Sequence, residues 1–339
     1  MNSDGSLAIG LRRWRWSRPT ALVAHGAPGP HRRGAPTQRP APAWAGNVRP
    51  RFVTDNVIRD ARSNHPLMPH AALNGTTLHY ERAGSGMPAL VFVHGFACAH
   101  EDWRHQVGAF AGRHGVVACD LRGHGASPGD PGSCNIETYG ADVVALLAAL
   151  DLTGVVLVGH SMGCRVVLQA YAAAPERVVG LVLIDGSSVG AGGERAVEAA
   201  RATLAAGYRG FVRPLFTQMF FTAGSEADRL IERALALPEA IGAALWLSMV
   251  GWDARRMTGA LESVRVPLLV IQSTAMSPER GRVPLAAGGT SPWLELVRRH
   301  APGSEIEIVP GVGHFAMLEA PQRVNAALAA FLERLPGAR

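Results

Sequence analysis

Residues 155–164 read Val-Val-Leu-Val-Gly-His-Ser-Met-Gly-Cys. The four apolar residues 155–158 predict a strand that is buried on both faces, and the residues after the stretch are typical of a helix. A sharp turn from a strand into a helix forces its apex residue, Ser161, into a strained backbone conformation, and side chains larger than those of Gly159 and Gly163 would clash there. The turn raises the serine hydroxyl above the sheet, so the sequence predicts that Ser161 is a nucleophile.

Predicted strands recur on both sides of this stretch. They lie at residues 76–82, 89–93, 116–119, 179–184, 266–271 and 305–309. Stretches with helical character, such as residues 142–150 and 165–173, separate most of them, and Asn74-Gly75 is a hairpin turn signal. Strands that alternate with helices predict an α/β fold with a mostly parallel central sheet flanked by helices.

One long interval interrupts this alternation. Roughly eighty residues of mostly helical character separate the strand at 179–184 from the strand at 266–271. The length of the insertion predicts a helical cap over residues 186–263, on a core formed by residues 68–185 and 264–339. The cap contains large apolar side chains, which as a group argue against a strongly polar substrate: Phe211, Phe216, Met219, Phe220, Phe221, Trp246, Met249 and Trp252.

The first 67 residues differ from the rest in composition and charge. They contain 8 of the 23 prolines, and 11 arginines against 3 acidic residues. Such a segment buries too little apolar surface to offset its ordering entropy, so residues 1–67 are predicted to be a disordered Arg/Pro-rich extension, with Met68 as the alternative start. The remaining residues carry 22 arginines against 24 acidic residues, and this balance predicts neither a nucleic-acid partner nor an anionic membrane.

Cysteine usage and the remaining motifs exclude several other classes of protein. The four cysteines form no CxxC pair and no cluster with zinc-ligand spacing, which favours free thiols in a reducing cytoplasm and no metal. No stretch of eighteen apolar residues occurs, so a membrane-spanning helix is not predicted. A Gly-rich phosphate loop and a dinucleotide fingerprint are both absent from the sequence, so no cofactor is expected.

A serine hydroxyl becomes an effective nucleophile when a neighbouring base takes its proton. His314, within Gly311-Val312-Gly313-His314-Phe315, follows the last predicted strand. Loops at the carboxyl ends of parallel strands meet at one edge of an α/β sheet, where such proteins build their sites. His314 is therefore the predicted base for Ser161.

Four motifs in this order resemble the α/β-hydrolase superfamily, from about residue 70 to the end of the chain. They are Val-His-Gly-Phe at 93–96, Asp-Leu-Arg-Gly-His-Gly-Ala-Ser at 120–127, the turn at Ser161, and Gly-His-Phe at 313–315. The resemblance implies an oxyanion hole, in which backbone N–H groups bind the negative oxygen of a tetrahedral intermediate. In this chain the implied donors are Phe96 and Met162. The motif at 120–127 is expected to be a structural turn without direct chemistry.

The acid of the implied triad departs from the common pattern. Relatives usually carry an Asp or Glu on the loop that follows the strand at 266–271, but the first carboxylate there is Glu279. The alternative is Asp185, which ends the strand at 179–184 on the same edge of the sheet and occupies a position that some superfamily members use. Asp185, Glu279, and another group or no acid all remain open at this point.

The resemblance and the serine–histidine pair imply a serine hydrolase that cleaves a carboxylic ester or lactone through an acyl-enzyme. The substrate is expected to be small and apolar, the location cytoplasmic, and the oligomeric state is not indicated. Carbon–carbon bond hydrolysis of ring-cleavage products and cofactor-free perhydrolysis are alternatives that use the same residues. A non-catalytic ligand receptor built on this fold is the alternative from another class of protein.

Overall fold

The computed structural model describes residues 69–277 and 281–336. The predicted extension at residues 1–67, the alternative start at Met68, and Glu279 lie outside the described residues. The described strands are β1 (His70–Leu73), β2 (Thr76–Ala83), β3 (Leu90–Val93), β4 (Val116–Cys119), β5 (Val155–His160), β6 (Val178–Ile184), β7 (Leu268–Gln272), β8 (Thr274–Met276), β9 (Arg282–Pro284) and β10 (Glu305–Ile308).

Eight of these strands form one mostly parallel sheet, in the order β1-β2-β4-β3-β5-β6-β7-β10. The six strands from β4 to β10 run parallel to one another, whereas β1 and β2 add an antiparallel hairpin at one edge. Asn74 and Gly75 both have positive φ, at 46° and 77°, as the predicted two-residue hairpin turn requires. The predicted α/β fold class is confirmed.

The helices are α1 (Arg104–Phe110), α2 (Ile136–Ala149), α3 (Met162–Ala173), α4 (Glu194–Ala205), α5 (Tyr208–Thr217), α6 (Ser225–Ala236), α7 (Glu239–Glu262), α8 (Pro292–His300), α9 (Ala316–Glu319) and α10 (Pro321–Glu333). Helices α4 to α7 lie between β6 and β7, within the interval that the sequence predicts as helical. They contact the core, since Trp252 Nε1 of α7 donates to Gln169 Oε1 of α3 at 3.0 Å.

Element boundaries differ from the sequence prediction where side chains or proline decide them. Helix α2 begins at Ile136, six residues earlier than predicted, because the Asn135 side chain caps it by accepting a hydrogen bond from Thr138 N at 2.8 Å. Strand β7 begins at Leu268 and not at 266, since Pro267 has no N–H to donate to the ladder. No periodic pattern in the sequence predicts the β8–β9 ribbon, and helix α8 is likewise an element found only in the structure.

A helix that spans a membrane must be long enough to cross it and predominantly apolar. No single helix in residues 69–277 and 281–336 meets both requirements. One pair, α6 with α7, meets them together but is bent by 99° at the break between the two helices.

Candidate active site

Ser161 occupies the turn between β5 and α3 with φ 53° and ψ −110°. A Cβ added to Gly159 would overlap the carbonyl oxygen of Gly163, and one added to Gly163 would overlap the carbonyl oxygen of Val93. The backbone of β3 thus packs against the start of α3 so closely that only glycine fits. This is the strand–turn–helix geometry that the sequence predicts for Ser161.

Asp185 and His314 are joined by a hydrogen bond at the carboxyl edge of the sheet. His314 Nδ1 lies 2.7 Å from Asp185 Oδ2, and both side chains are almost completely buried. Asp185 directly follows β6 and has φ 46°, a left-handed conformation that is uncommon outside glycine. The structure therefore brings two of the predicted site residues into contact, across 129 positions of sequence.

The Asp185 carboxylate accepts three further hydrogen bonds from the chain that follows β7. Oδ1 accepts from Ser273 N at 3.1 Å and Thr274 N at 3.0 Å, and Oδ2 accepts from Thr274 Oγ1 at 2.7 Å. Burial opposes ionisation of this carboxyl, but the hydrogen bond from His314 and the charges of His314 and Arg282 leave its pKa below the usual value. An ionised Asp185 is thus held in one orientation, as an imidazole partner must be.

The His314 loop is fixed by its backbone. His314 N donates to the Met219 carbonyl at 2.8 Å, and the His314 carbonyl lies 2.9 Å from His160 Nε2. Ser273 Oγ donates to the carbonyl of Gly313 at 2.7 Å. His160 therefore helps to position His314 through its Nε2 atom. No sequence pattern indicated this role.

His314 Nε2, the ring nitrogen on the far side from Asp185, is buried and has no hydrogen-bond partner within the described ranges. No hydrogen bond between Nε2 and Ser161 Oγ is formed in this structure. Residue His160, next to Ser161 in the chain, lies against the imidazole with ring centroids 4.7 Å apart. Burial first, and the charge of Arg282 second, lower the pKa of His314 to about 4, although Asp185 opposes this. The ring is therefore neutral near pH 7, with Nε2 available to accept a proton.

The two N–H groups that the sequence predicts for an oxyanion hole, those of Met162 and Phe96, come from the start of α3 and from the loop after β3. Met162 is the first residue of α3, where an N–H has no acceptor within the helix. Phe96 follows Gly95, and a Cβ at Gly95 would lie 3.3 Å from Ser161 Cβ, so this loop passes directly beside the serine. The helix N-terminus adds a partial positive charge at the same place.

Two buried histidines hold the Phe96 loop in position. His94 Nε2 accepts from Leu121 N at 2.9 Å, and His124 Nε2 accepts from Ala97 N at 3.3 Å. Burial lowers the pKa of His94 to about 4 and that of His124 to about 3, so both rings are neutral acceptors at pH 7. The motif at 120–127 thus supports the loop, in agreement with a structural role.

Aromatic side chains from the inserted helices reach the same edge of the sheet. The ring centroid of Phe96 lies 6.4 Å from that of Phe216 and 6.0 Å from that of Trp246. Phe220 stacks on Phe315 at 5.0 Å, beside the imidazole of His314. Aromatic side chains therefore pack against Phe96 and Phe315, the chain neighbours of Gly95 and His314.

One group of side chains in the described part of the chain has atoms spaced as metal ligands are. His79, His100 and Asp120 are all buried, and their ligand atoms lie within 4.8 Å of one another. The Asp120 carboxylate already contacts both imidazoles, at 3.1 and 2.8 Å, and accepts from His100 N and Ala126 N at 2.8 and 2.9 Å. These hydrogen bonds account for both carboxylate oxygens, so the group is explained as a polar network that joins β2 to β4.

A buried ion pair behind Ser161 was not predicted either. Arg165 of α3 donates to both carboxylate oxygens of Asp253 of α7 at 2.7 Å, and its Nη1 donates to the Ser161 carbonyl at 3.2 Å. The two residues are 88 positions apart in the sequence. The sequence shows Arg165 one helical turn after Ser161, but no local pattern identifies Asp253 as its partner.

Comparison with known proteins places this geometry in a family. A sequence profile described as "Alpha/beta hydrolase family" matches residues 90–327. At 30% identity over 290 residues, the chain is similar to the dihydrolipoyllysine-residue acetyltransferase component of the acetoin cleaving system of Pseudomonas putida, and the match covers 84% of this chain and 73% of that protein.

Two solved structures share the fold. A thermophilic esterase from Thermogutta terrifontis, with malate bound, matches with a TM-score of 0.64 and 25% identity over 79% of this chain and 97% of its own. Est816, described as an N-acyl homoserine lactone degrading enzyme, matches with a TM-score of 0.62 and 25% identity over 78% of this chain and 100% of its own. Since the family profile spans well over half of the sequence, the chain belongs to the alpha/beta hydrolase family of enzymes.

Proposed function

We propose that this enzyme is a serine hydrolase that cleaves small apolar carboxylic esters or lactones through an acyl-enzyme. The observation that carries the proposal is the 2.7 Å contact between Asp185 and His314, at the sheet edge where Ser161 sits on its strained turn. The esterase and lactonase matches at 25% identity support the same chemistry. The strained serine and the oriented, neutral imidazole are the parts that acyl transfer requires.

In the proposed mechanism, Ser161 Oγ attacks the carbonyl carbon while His314 Nε2 takes the hydroxyl proton. The N–H groups of Phe96 and Met162 donate to the oxyanion of the tetrahedral intermediate, where one such donor contributes about 3–4 kcal/mol. Asp185 stabilises the imidazolium and keeps its Nδ1–H directed away from the serine. The proton then passes from His314 to the leaving alkoxide, and a water activated by His314 hydrolyses the acyl-enzyme.

The inserted helices α4 to α7 are proposed to act as a cap that selects the substrate. Phe216, Phe220 and Trp246 of the insertion lie against Phe96 and Phe315. These aromatic side chains beside the site favour apolar acyl chains, because the burial of apolar surface then drives binding. We also propose a cytoplasmic location, on the basis of four buried free cysteines.

A fluorophosphonate probe and a substrate panel test the proposal. The probe should label the parent enzyme and leave Ser161→Ala unlabelled, whereas a ligand receptor would leave both unlabelled. The panel contains p-nitrophenyl esters of increasing acyl length, γ-lactones, N-acyl homoserine lactones and ring-cleavage dienes. Each substrate is assayed with and without hydrogen peroxide. We expect the highest kcat/KM on esters or lactones with small to medium apolar acyl groups. Turnover of dienes alone, or peracid formation that exceeds hydrolysis, would assign one of the alternative reactions instead.

Acyl transfer to a thiol is a second candidate, favoured by the Pseudomonas putida relative, whose name describes an acetyltransferase component. It requires the same acyl-enzyme, which a thiol attacks in place of water to give a thioester and free Ser161. Addition of dithiothreitol or dihydrolipoamide to an ester assay separates the two reactions. Hydrolysis predicts unchanged acid release, whereas transfer predicts that thioester forms at the expense of acid.

A further inference from the structure

A chain of short contacts extends from the imidazole of His314 to a buried arginine. His314 Nδ1 lies 2.7 Å from Asp185 Oδ2, and Thr274 Oγ1 donates to the same oxygen at 2.7 Å. Arg282 Nη1 donates to Thr274 Oγ1, also at 2.7 Å, and lies 3.8 Å from Asp185 Oδ2. A fixed positive charge therefore lies immediately behind the proposed acid.

Arg282 is the first residue of β9, in the two-stranded β8–β9 ribbon. Met276 and Arg282 pair across the ribbon, and Arg282 N donates to Gln218 Oε1 of the insertion at 2.9 Å. The Arg282 side chain is 6% exposed. Burying a guanidinium costs several kcal/mol unless a carboxylate compensates it, and Asp185 is the one described carboxylate within 4 Å. Arg282 thus depends on a carboxylate that His314 also uses.

The second buried arginine near the site is compensated differently. Arg165 makes its own bidentate pair with Asp253, so its positive charge is neutralised locally. Burial lowers the pKa of His160 to about 3, and that ring is therefore neutral at pH 7. Glu319, which accepts from Gly313 N at 2.9 Å and Phe315 N at 3.3 Å, has a pKa that burial raises. Arg282 differs from Arg165 in this respect. Its one carboxylate within 4 Å among the described residues, Asp185, also contacts His314.

We propose that Arg282 is a positioning residue: its buried positive charge, linked to Asp185 through Thr274 Oγ1, extends activity to lower pH, and Thr274 aligns Asp185 for His314. The inference rests on the proposed function, since it assumes that His314 is the base for Ser161. The four motifs that resemble the family do not include Arg282. Arg282 lies instead in the β8–β9 ribbon, which follows β7 in the chain.

The sign of the effect follows from the charges. Burial and Arg282 lower the pKa of His314 to about 4, and Asp185 raises it. Activity needs the neutral imidazole, so it should persist as the pH falls and be lost as the pH passes below the pKa of His314. Removal of the Arg282 charge raises that pKa and moves the loss of activity to higher pH. An arginine with a merely structural role would reduce the rate by the same factor at every pH.

The experiment measures the rate at which a fluorophosphonate labels Ser161 between about pH 3 and 8 in the full-length protein, for Arg282→Gln, Arg282→Lys and the parent. Arg282→Gln should raise the apparent pKa by about one unit, the size of a neighbouring-charge effect. Arg282→Lys keeps the charge and should restore the parent profile. Arg298→Gln, which removes an exposed charge on α8, is the matched control and should leave the profile unchanged.

Thr274 gives a second, pH-independent readout of the same chain of contacts. Thr274→Val removes the hydroxyl that joins Arg282 to Asp185 and should slow labelling on the order of tenfold at the pH plateau, since a hydrogen bond to a charged group is lost. Thr274→Ser retains the hydroxyl and should recover most of the rate. Equal rates for Thr274→Val and Thr274→Ser would contradict the alignment role.

An NMR titration of the His314 ring, assigned by the signal lost in His314→Asn, measures the pKa without any substrate or probe. A higher pKa in Arg282→Gln than in both Arg282→Lys and the parent supports the inference, and the same pKa in all three overturns it. If the probe fails to label Ser161 in the parent, the proposed function is wrong whatever the titration gives. If labelling depends on Ser161 but its pH profile is unchanged in Arg282→Gln, the inference alone fails.

Discussion

Ser161 and Asp185 directly follow neighbouring parallel strands and both have a positive φ, yet different contacts hold them there. Ser161 N donates to the Ile184 carbonyl at 2.9 Å and Asp185 N to the Ile271 carbonyl at 2.8 Å, so each residue makes the last ladder contact of its strand. Their φ angles are 53° and 46°. Beside Ser161 the glycines permit close backbone packing, Gly159 against Gly163 and Gly163 against Val93, whereas Asp185 is held by hydrogen bonds from a segment 88 residues later.

This difference explains why a local sequence pattern indicates the conformation of Ser161 but not that of Asp185. A conformation fixed by steric exclusion leaves a local pattern, since only glycine fits at defined positions beside the serine. A conformation fixed by distant hydrogen bonds leaves no pattern, because Ser273 and Thr274 are common residues whose partner is decided by the fold. Strained residues held by their surroundings often mark functional sites, and here both mechanisms occur on adjacent strands.

The largest expected effect tests whether Ser161 and His314 act as one unit. Ser161→Ala and His314→Ala should each lower kcat on the order of 10⁴–10⁶-fold, and the double variant should be little worse than either, because each substitution removes the same reaction step. Steady-state kinetics on the best panel substrate measure this. His105→Ala, at an exposed histidine, is the control and should keep near-parental activity. Losses that multiply in the double variant would mean that the two residues act independently.

The next effect concerns the acid and compares its two candidates directly. Asp185→Asn should lower kcat on the order of 10⁴-fold, because it removes the charge that stabilises the imidazolium and favours the wrong tautomer. Glu279→Gln should cost less than about tenfold, because Asp185 Oδ2 already contacts His314 Nδ1.

Melting curves must accompany both acid variants, because a buried Asp185 also supports the fold through Ser273 and Thr274. The assignment stands if Asp185→Asn remains folded and is inactive. An active Asp185→Asn beside an inactive Glu279→Gln would transfer the role to Glu279. Near-parental rates in both would mean that the enzyme operates with Ser161 and His314 alone.

The smallest expected effect tests the steric origin of the serine turn. Gly163→Ala places a Cβ on the carbonyl oxygen of Val93 and should lower the free energy of unfolding by about 1–3 kcal/mol. Gly259→Ala is the matched control, at an exposed position of α7 where a Cβ meets nothing within 4 Å, and should raise that free energy by up to about 1 kcal/mol. Urea denaturation measures both changes. Equal stabilities would show that the turn does not depend on close backbone packing.

The sequence was informative wherever a local pattern has one steric solution. Alternating strands and helices indicated the parallel sheet, and the glycines around Ser161 indicated the turn. It was less informative about boundaries, where Asn135 extended α2 by capping it and Pro267 shortened β7. It also failed at the β8–β9 ribbon, because two three-residue strands give too short a period to be recognised.

Sequence alone therefore determined the fold class, the serine on its turn and the histidine after the last strand, because period, glycine spacing and strand order are local properties of the chain. Tertiary structure brought Asp185 into contact with His314. The sequence offered Asp185 with Glu279 as the alternative, and the observed contact depends on how β6, β7 and the His314 loop converge. Tertiary structure also decided that Arg282 lies behind Asp185, since the burial and charge that act on an imidazole come from residues that are distant in the sequence and adjacent in space.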